Sequence, residues 1–371
     1  MANVVIVGGG IIGCATAYYL AREGANVTVL ERGEIGNEAS GAAAGMLAAL
    51  SSEGGEHGPA FDALIKDSTA LYHTLVPELK QTGIDFHYRR TGVLHVAMTD
   101  DEAALTRNRF ELRRKLTDDL RWLDGPSEIL REEPEVNPRA VAAMVSSREE
   151  YVDPRRATEA MVAAAKALGV KIQANSPVTR LRRDGAAKLR GVTTPGATFD
   201  GDVVLLAGGP WTMVLAKRLG AVVPVRPVRG QMLSLEGPRA PLRHMVWGGH
   251  AYLVPREDGQ TYVGATVEEV GYRKRTTESG LGSLRSGAGD LIPALRNAKE
   301  RRSWAGLRPA SPDGLPIMGR LPGWHNVWVS TGHFRNGILL APVSGLLMAK
   351  SIASGKPDSQ LITFDPARFN A

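Results

Sequence analysis

Val4-Val5-Ile6-Val7-Gly8-Gly9-Gly10-Ile11-Ile12-Gly13 stands near the start of the chain. A helical run to Glu23 follows, then a second apolar run, Val27-Thr28-Val29-Leu30, and then Glu31. Strand, glycine turn, helix, strand and acid, in that order, make a dinucleotide-binding βαβ unit. Gly8, Gly10 and Gly13 fit G-x-G-x-x-G. The first permits a tight turn, the second lets the backbone approach a pyrophosphate, and the third lets the helix pack against the strand. The helix N-terminus turns its free N–H groups and positive dipole end toward the phosphates. Glu31 is placed to accept hydrogen bonds from a ribose, and its charge argues against a ribose 2′-phosphate. The chain holds 42 glycines, so the motif alone says little, and the surrounding elements carry the reading. The motif does not separate NAD from FAD.

At 371 residues the chain has room for two domains or one large interleaved one. Its 43% hydrophobic and 23% charged content is that of a soluble globular protein. The net charge of +6 is spread over short clusters mixed with acids (Arg113-Arg114-Lys115, Arg180 to Arg183, Arg301-Arg302). These read as solvated surface, not as a nucleic-acid site. A single cysteine, Cys14, excludes an internal disulfide and any cysteine-built metal centre. It falls inside the first helix and reads as a packed, inert thiol. Val4 to Ala21 carries no charge, but its glycine motif and the lack of a preceding Lys or Arg make it buried strand plus helix, not a leader or a span. With no other long apolar run, a cytoplasmic protein without membrane or nucleic-acid partners is expected.

Further along, Glu38 to Leu47 is dense in small residues, which lets backbone come close to something flat. Ser51 to Pro59 reads as a mobile loop that could serve as a lid. Helices are expected at Phe61 to Leu79, Asp100 to Leu116, Pro154 to Leu168 and Thr277 to Leu295. Ile84 to Met98 reads as strands, the stretch to Pro138 as polar surface, and Val141 to Val152 as a strand pair. Short strands are expected at Val170 to Ala174 and Val178 to Leu181. Val203 to Leu206 is a buried strand running into Gly208-Gly209 and a helix. Val222 to Leu235, Met245 to Pro255 and Thr261 to Thr266 read as a second sheet. Near the end, strand Val327 to Ser330 runs into Gly332-His333-Phe334-Arg335-Asn336-Gly337 and an apolar helix, Ile338 to Ala353. Three strand-to-glycine-to-helix junctions from distant parts of the chain could meet at one cofactor.

These residues resemble the D-amino-acid oxidase superfamily of flavoproteins, and within it the glycine oxidases of thiamine biosynthesis. The specific pieces are Ala42 to Leu47, Gly306 to Pro309 with Asp313-Gly314, and Gly332 to Leu339, and the resemblance spans essentially the whole chain. It implies an α/β fold: a discontinuous Rossmann-like FAD-binding domain (residues 1–84, 146–220 and 301–371) interleaved with an antiparallel-sheet α+β substrate domain (85–145 and 221–300). It implies FAD, held on Gly8, Gly10, Ile11, Ile12 and Gly13 at the phosphates and by Glu31 at the ribose, with Arg32 beside the adenosine. Ala39, Ser40, Ala44, Gly45 and Met46 would run along the pyrophosphate and ring, Val178 would meet the adenine, and Gly208 and Gly209 the ribityl chain. His333, Phe334, Arg335, Asn336, Gly337, Ile338 and Leu339 would contact the ring. A helix N-terminus at Gly337-Ile338-Leu339 would stabilise negative charge near flavin N1 and O2. Cys14 is misplaced for a cysteine tether, so FAD is expected to be non-covalent.

The reaction the resemblance implies is oxidative deamination of glycine, or of a small amine or D-amino acid such as sarcosine or D-alanine. A hydride passes to flavin N5, O2 reoxidises the flavin to give hydrogen peroxide, and the imine hydrolyses to a 2-oxo acid and ammonia. Such catalysis is mostly orientation, with the cofactor supplying the redox chemistry. Arg308 is the expected carboxylate clamp, because a guanidinium offers a bidentate fork. Tyr252 would donate its hydroxyl to the same carboxylate, and Arg335 would help place the amine. Met46 and Val267 would line the substrate pocket. Val267 stands where the enzymes it resembles carry a larger residue, which implies a roomier pocket. Competing readings are a dehydrogenase of the same fold with another electron acceptor, a non-catalytic flavin-binding protein, and more distantly an NAD-dependent dehydrogenase. No metal is expected, and a homo-oligomer, tetramer or dimer, is implied by the resemblance.

Overall fold

The computed structural model describes residues 2–48, 58–115 and 117–369. Most of the expected lid, Ser51 to Pro59, lies outside the described residues. In chain order, β1 (Asn3–Val7) leads into α1 (Ile11–Arg22) and β2 (Asn26–Leu30), followed by α2 (Ala39–Ala42) and β3 (Met46–Leu47). Then come α3 (Pro59–Lys80), β4 (Arg89–Arg90), β5 (Val93–Ala97), α4 (Asp100–Arg113), β6 (Leu120–Asp124), α5 (Gly125–Glu132) and β7 (Ala142–Ser146). β8 (Glu150–Tyr151), α6 (Pro154–Ala167), β9 (Lys171–Gln173), β10 (Arg180–Arg183), β11 (Leu189–Thr193), β12 (Thr198–Asp200) and β13 (Val203–Leu206) continue the chain. After α7 (Thr212–Arg218) come β14 (Arg226–Glu236), β15 (Met245–Gly248), β16 (Ala251–Pro255), β17 (Gln260–Gly264) and α8 (Glu278–Leu291). β18 (Glu300–Ala310), β19 (Ile317–Arg320), β20 (Val327–Thr331) and α9 (Ala341–Ser354) complete the main elements.

Two large sheets organise these elements. The first has the order β19-β20-β13-β1-β2-β9. β20, β13, β1, β2 and β9 run parallel, and β19 is an antiparallel edge. From β1 the chain goes to β2 on one side and later reaches β13 on the other. The carboxyl ends of β1, β13 and β20 therefore lie side by side around a topological switch point, the place where open α/β sheets bind ligands. The three glycine junctions converge because their strands are neighbours.

α1 is buried on nearly every side, from Ile11 to Leu20. A helix apolar all round is one covered on several faces. α9 crosses it so closely that a Cβ on Gly345 would come within 3.0 Å of Ala15. Cys14, next to Ala15 on α1, is fully buried with its Sγ against the Gly9 carbonyl at 3.5 Å, and burial pushes its thiol up to about 12.

The second sheet has the order β18-β14-β17-β16-β15-β5-β7-β6 and is antiparallel except where β15 meets β5. Its far face packs on α8 through Leu284, Ala288 and Leu291. No helix among the described residues is long and apolar enough to cross a membrane.

Several local expectations change. The stretch read as polar surface holds β6 and α5, and β6 pairs with β7 along its length. β7 and β8 are not a strand pair, since β7 lies between β5 and β6 while β8 lies between β3 and β4. Trp304 to Pro309 belongs to the long strand β18, and the boundary expected at residue 301 falls inside it. The last helix begins at Ala341, not at Ile338. Pro342 has no N–H to donate and favours the first turn of a helix, which fixes the start there. Gly337 to Leu340 form a preceding turn, closed by Leu340 N–H donating to the Asn336 carbonyl at 2.8 Å.

Candidate active site

One cavity of about 1360 Å³ runs from the α1 N-terminus across to the second sheet. It exceeds the roughly 300–1,000 Å³ of a drug-sized ligand site, so a long molecule plus a second small one can be housed together.

At the first end the βαβ motif is built as its sequence demands. Gly8 adopts φ +123°, and a Cβ there would fall within 3.0 Å of the Ala207 backbone, just past the end of the neighbouring β13. Only glycine fits both the torsion and the space. Gly13 packs on Gly8 and Ile6 and does not line the cavity, so its contribution is helix–strand packing. α1 starts at Gly10 with no side-chain cap bond from that residue and no acid in its first turn, which leaves its positive end suited to an anion. Ile11 N–H donates to Ser40 Oγ at 3.0 Å, which ties α2 to the same point. Glu31 accepts from Gly9 N–H at 2.8 Å and Gly33 N–H at 3.0 Å, so its carboxylate is fixed at the cavity wall. The guanidinium of Arg32 lies 3.6 Å over the Trp211 ring and donates to Glu38 at 2.7 Å. Val178, Gly208 and Gly209 line this end too.

The middle of the cavity is walled by Ala39, Ser40, Ala44, Gly45 and Met46 on one side and by His333, Phe334, Arg335, Asn336, Gly337 and Ile338 on the other. Burial pushes His333 down to about 3, so it is neutral, and its Nε2 lies 3.0 Å from Ser344 Oγ. Leu339 does not line the cavity. It is buried in the core, and its carbonyl accepts from Ser68 Oγ at 2.6 Å. With α9 beginning at Ala341, the expected helix N-terminus at Gly337-Ile338-Leu339 is absent, and only a single turn stands there.

The other end is formed on the second sheet. Val228 pairs with Arg308 and Gly230 with Gly306, so Arg308 leans toward Gly230 across the β14–β18 ladder. A Cβ on Gly230 would overlap the Arg308 guanidinium. Tyr252 pairs with Gly264, and a Cβ there would overlap the Tyr252 ring. Two glycines thus let an arginine and a tyrosine lie flat on neighbouring strands.

Arg308 Nη1 donates to the Thr266 carbonyl at 2.9 Å, and Arg308 has no ion-pair partner among the described residues. Burial lowers its pKa. The Tyr252 hydroxyl opposes that shift, and the like charge of Arg335 adds to it. Burial raises the Tyr252 hydroxyl, with Arg308 and Arg335 opposing, so Tyr252 stays a protonated donor. The nearby Glu268 is engaged by Arg229, by Thr266 and by Gln231, the last at 2.7 Å. Burial pushes its pKa up, but these three hydrogen bonds outweigh that and hold it at about 2. Arg335 is exposed at the cavity edge, and Val267 is 51% exposed in its wall.

Sequence reasoning missed several lining residues: Trp211, Met232, Trp247, His95, Arg109 and Arg113. Reading Glu300 to Ala310 as a strand opposite β14 would have placed Gly230 and Met232 on the face of Arg308.

The donors suit FAD. A helix N-terminus without acids in its first turn suits a pyrophosphate, a fixed carboxylate suits ribose hydroxyls, and a wall of small residues suits a flat ring. The family model described as FAD dependent oxidoreductase (DAO) matches residues 3–351. The chain is 36% identical over 351 residues to the glycine oxidase of Bacillus subtilis (strain 168), covering 94% of this chain and 92% of that one. The crystal structure of glycine oxidase from Geobacillus kaustophilus superposes with a TM-score of 0.92 at 31% identity, covering 99% of each chain. L-proline dehydrogenase from P. horikoshii superposes with a TM-score of 0.87 at 25% identity, covering 100% of this chain and 98% of that one. The chain therefore belongs to the FAD dependent oxidoreductase (DAO) family and is an FAD-dependent enzyme of amino-acid and amine oxidation.

Proposed function

We propose that this enzyme oxidises glycine or a small relative of it, sarcosine or a small D-amino acid, with O2 as electron acceptor. One observation carries the reading. Arg308 is a mostly buried guanidinium with no ion-pair partner, in the same cavity as the dinucleotide motif. A buried charge needs a counter-charge, and a substrate carboxylate supplies it.

In this reading Arg308 binds the carboxylate through its planar fork and Tyr252 donates a second hydrogen bond to it. Thr266 holds the arginine in place through its carbonyl. Arg335 stands over the edge of the site. The two guanidinium groups disfavour a nearby ammonium, which pushes the substrate amine toward the neutral form that can support loss of hydride. When bound, FAD would supply the acceptor for that hydride and O2 would take the two electrons onward to give hydrogen peroxide, while water hydrolyses the released imine to a 2-oxo acid and ammonia, or methylamine in the case of sarcosine. The protein's part is orientation and the holding of charge. Gly8 to Ile12, Glu31, Arg32, the Ala39 to Met46 wall, Val178, Gly208, Gly209 and His333 to Ile338 would hold the cofactor non-covalently. The first sheet would serve the cofactor and the second, including β18, the substrate. A cytoplasmic homo-oligomer is part of this proposal, to be checked by fractionation and light scattering.

The dehydrogenase reading has one observation in its favour, the likeness to L-proline dehydrogenase. An anaerobic titration of the yellow protein with glycine, sarcosine and D-alanine, followed by air, tests both. Bleaching by one of these amines and peroxide on aeration support the oxidase. Bleaching without peroxide supports the dehydrogenase, and no bleaching by any amine overturns the amine reading.

A further inference from the structure

The small-residue wall at the middle of the cavity is gripped from behind by the second sheet. Trp304, on β18, donates its indole N–H to the Ala42 carbonyl at 3.1 Å. A Cβ on Gly306 of the same strand would meet the Ala42 Cβ at 2.6 Å. Arg256, the residue after β16, donates to the Ala44 carbonyl and, at 3.0 Å, to the Val152 carbonyl. The Val152 N–H in turn donates to the Gly45 carbonyl at 2.9 Å. The Arg256 guanidinium also lies over two rings, 4.2 Å from the centre of Tyr262 and 5.1 Å from that of Tyr151.

This cation is mostly buried, its Nε wholly so and without an acceptor. It makes no ion pair among the described residues. Burial lowers its pKa, and the Tyr262 and Tyr151 hydroxyls and the more distant Asp153 and Asp258 oppose that shift. A guanidinium stays charged in such a place. Taking a charge out of water is costly, and backbone carbonyls repay less than a carboxylate does. What the charge does hold is one peptide of the cavity wall.

The Ala44–Gly45 peptide is trans, so its C=O and N–H point in opposite directions. Ala44 and Gly45 line the cavity, and Arg256 does not. Arg256 therefore takes the carbonyl from outside, and the Gly45 N–H turns to the cavity side. That N–H has no acceptor among the described residues. Gly45 keeps this arrangement at φ +83°, where a Cβ would stand 2.0 Å from the Val152 carbonyl oxygen. A charge-assisted hydrogen bond at one end of a peptide polarises it and strengthens the donor at the other end.

We propose that Arg256 acts through the Ala44–Gly45 peptide, making the Gly45 N–H a strengthened hydrogen-bond donor to the flavin ring, and that this donor favours the reduced, electron-rich ring over the oxidised one. Arg256 is then a positioning residue that never touches the cofactor. It offers the reduced ring a stabilising donor where no helix N-terminus stands at residues 337–339. The inference holds whichever amine is oxidised and whichever acceptor follows.

The test measures the two-electron potential of the bound flavin by dye-coupled reductive titration, and the Kd of the apoprotein for oxidised FAD. It compares wild type with Arg256→Gln, Arg256→Lys and Arg302→Gln. Arg256→Gln should weaken binding of reduced FAD at least tenfold more than binding of oxidised FAD, which lowers the potential by about 30 mV. Arg256→Lys keeps the charge and should keep most of the potential. Arg302 lies over Tyr262 and Trp304 and donates to the Tyr262 hydroxyl, with no bond to the wall, so Arg302→Gln should leave the potential unchanged. Looser FAD binding at an unchanged potential in Arg256→Gln would mean that the residue only holds the fold, and would overturn the proposal. An equal shift in Arg302→Gln would overturn it too, because the wall peptide would then be irrelevant. Should Arg256→Gln fail to fold, the wild-type holoenzyme decides. Hydrogen exchange resolved to Gly45 should slow when FAD binds and at least tenfold further when the ring is reduced, and equal exchange in the two redox states overturns the proposal.

Discussion

The backbone of Gly230 lies directly under the guanidinium of Arg308, so closely that a Cβ at position 230 would overlap it. The arginine is presented by β18, but its resting place is made by the glycine on β14. Gly230→Ala should therefore act as a displacement of Arg308. The expected result is a loss of kcat/KM of about 10²-fold, the scale of a 1 Å misplacement, with FAD content and visible spectrum retained. Stopped-flow reduction and flavin quantitation check it, and an unchanged rate would show that the guanidinium can move without consequence.

Tyr252→Phe removes one hydroxyl and leaves the ring on Gly264. A hydrogen bond to a charged group is worth about 1.5–3 kcal/mol, so kcat/KM should fall about 10- to 150-fold. Because burial raises the Tyr252 hydroxyl, no loss of activity from its ionisation is expected across pH 6–9. Steady-state kinetics over that range measure both effects.

His95 and His333 are each held down to about 3 by burial. Their folded pKa values lie below the unfolded value near 6.5, so unfolding takes up protons and stability is lost as pH falls below 6.5. Between pH 6.5 and 5, above the carboxylate range, each histidine should contribute a slope approaching 1.36 kcal/mol per pH unit as pH drops below 6. Denaturant unfolding of the holoenzyme in this window checks it, and His95→Gln should remove about half of the histidine slope.

Glu31→Ala removes a carboxylate fixed by two backbone donors at the ribose end. It leaves Gly9 and Gly33 N–H without that partner and takes an acceptor from the cofactor, so FAD affinity should fall about 10- to 100-fold, or 1.4–2.8 kcal/mol. Fluorescence titration of the apoprotein with FAD measures this, and an unaltered Kd would remove Glu31 from the cofactor site.

The parts of the site that could be read from the chain are those made by near neighbours in sequence. Gly8 to Glu31 is a closed local unit, and its strand, turn and helix each announce themselves. The convergence of Gly8, Gly208 and His333 could be anticipated from three similar junctions, although their adjacency needs the β20-β13-β1 order. The floor under Arg308 could not be read. Gly230 meets Gly306 through a ladder joining residues far apart in sequence, and a glycine in a strand looks only like a weak strand residue. Arg113 looked like the polar side of a charged helix, and only the packing of α4 over β5 buries it. The misread start of α9 has a local cause, since the apolar run Ile338 to Leu340 continues the helix pattern while Pro342 sets its first turn.

The central claim is that Arg308 holds the substrate carboxylate. Its most direct test is the anaerobic rate of flavin bleaching by the best small amino acid, at sub-saturating concentration, in wild-type and Arg308→Ala holoenzymes of equal FAD content. Removing the positive partner of a buried pair costs about 3–5 kcal/mol, so the rate should fall by about 10² to 10⁴, and Arg308→Lys, which lacks the planar fork, should recover little of it. Bleaching of Arg308→Ala at the wild-type rate would contradict the account.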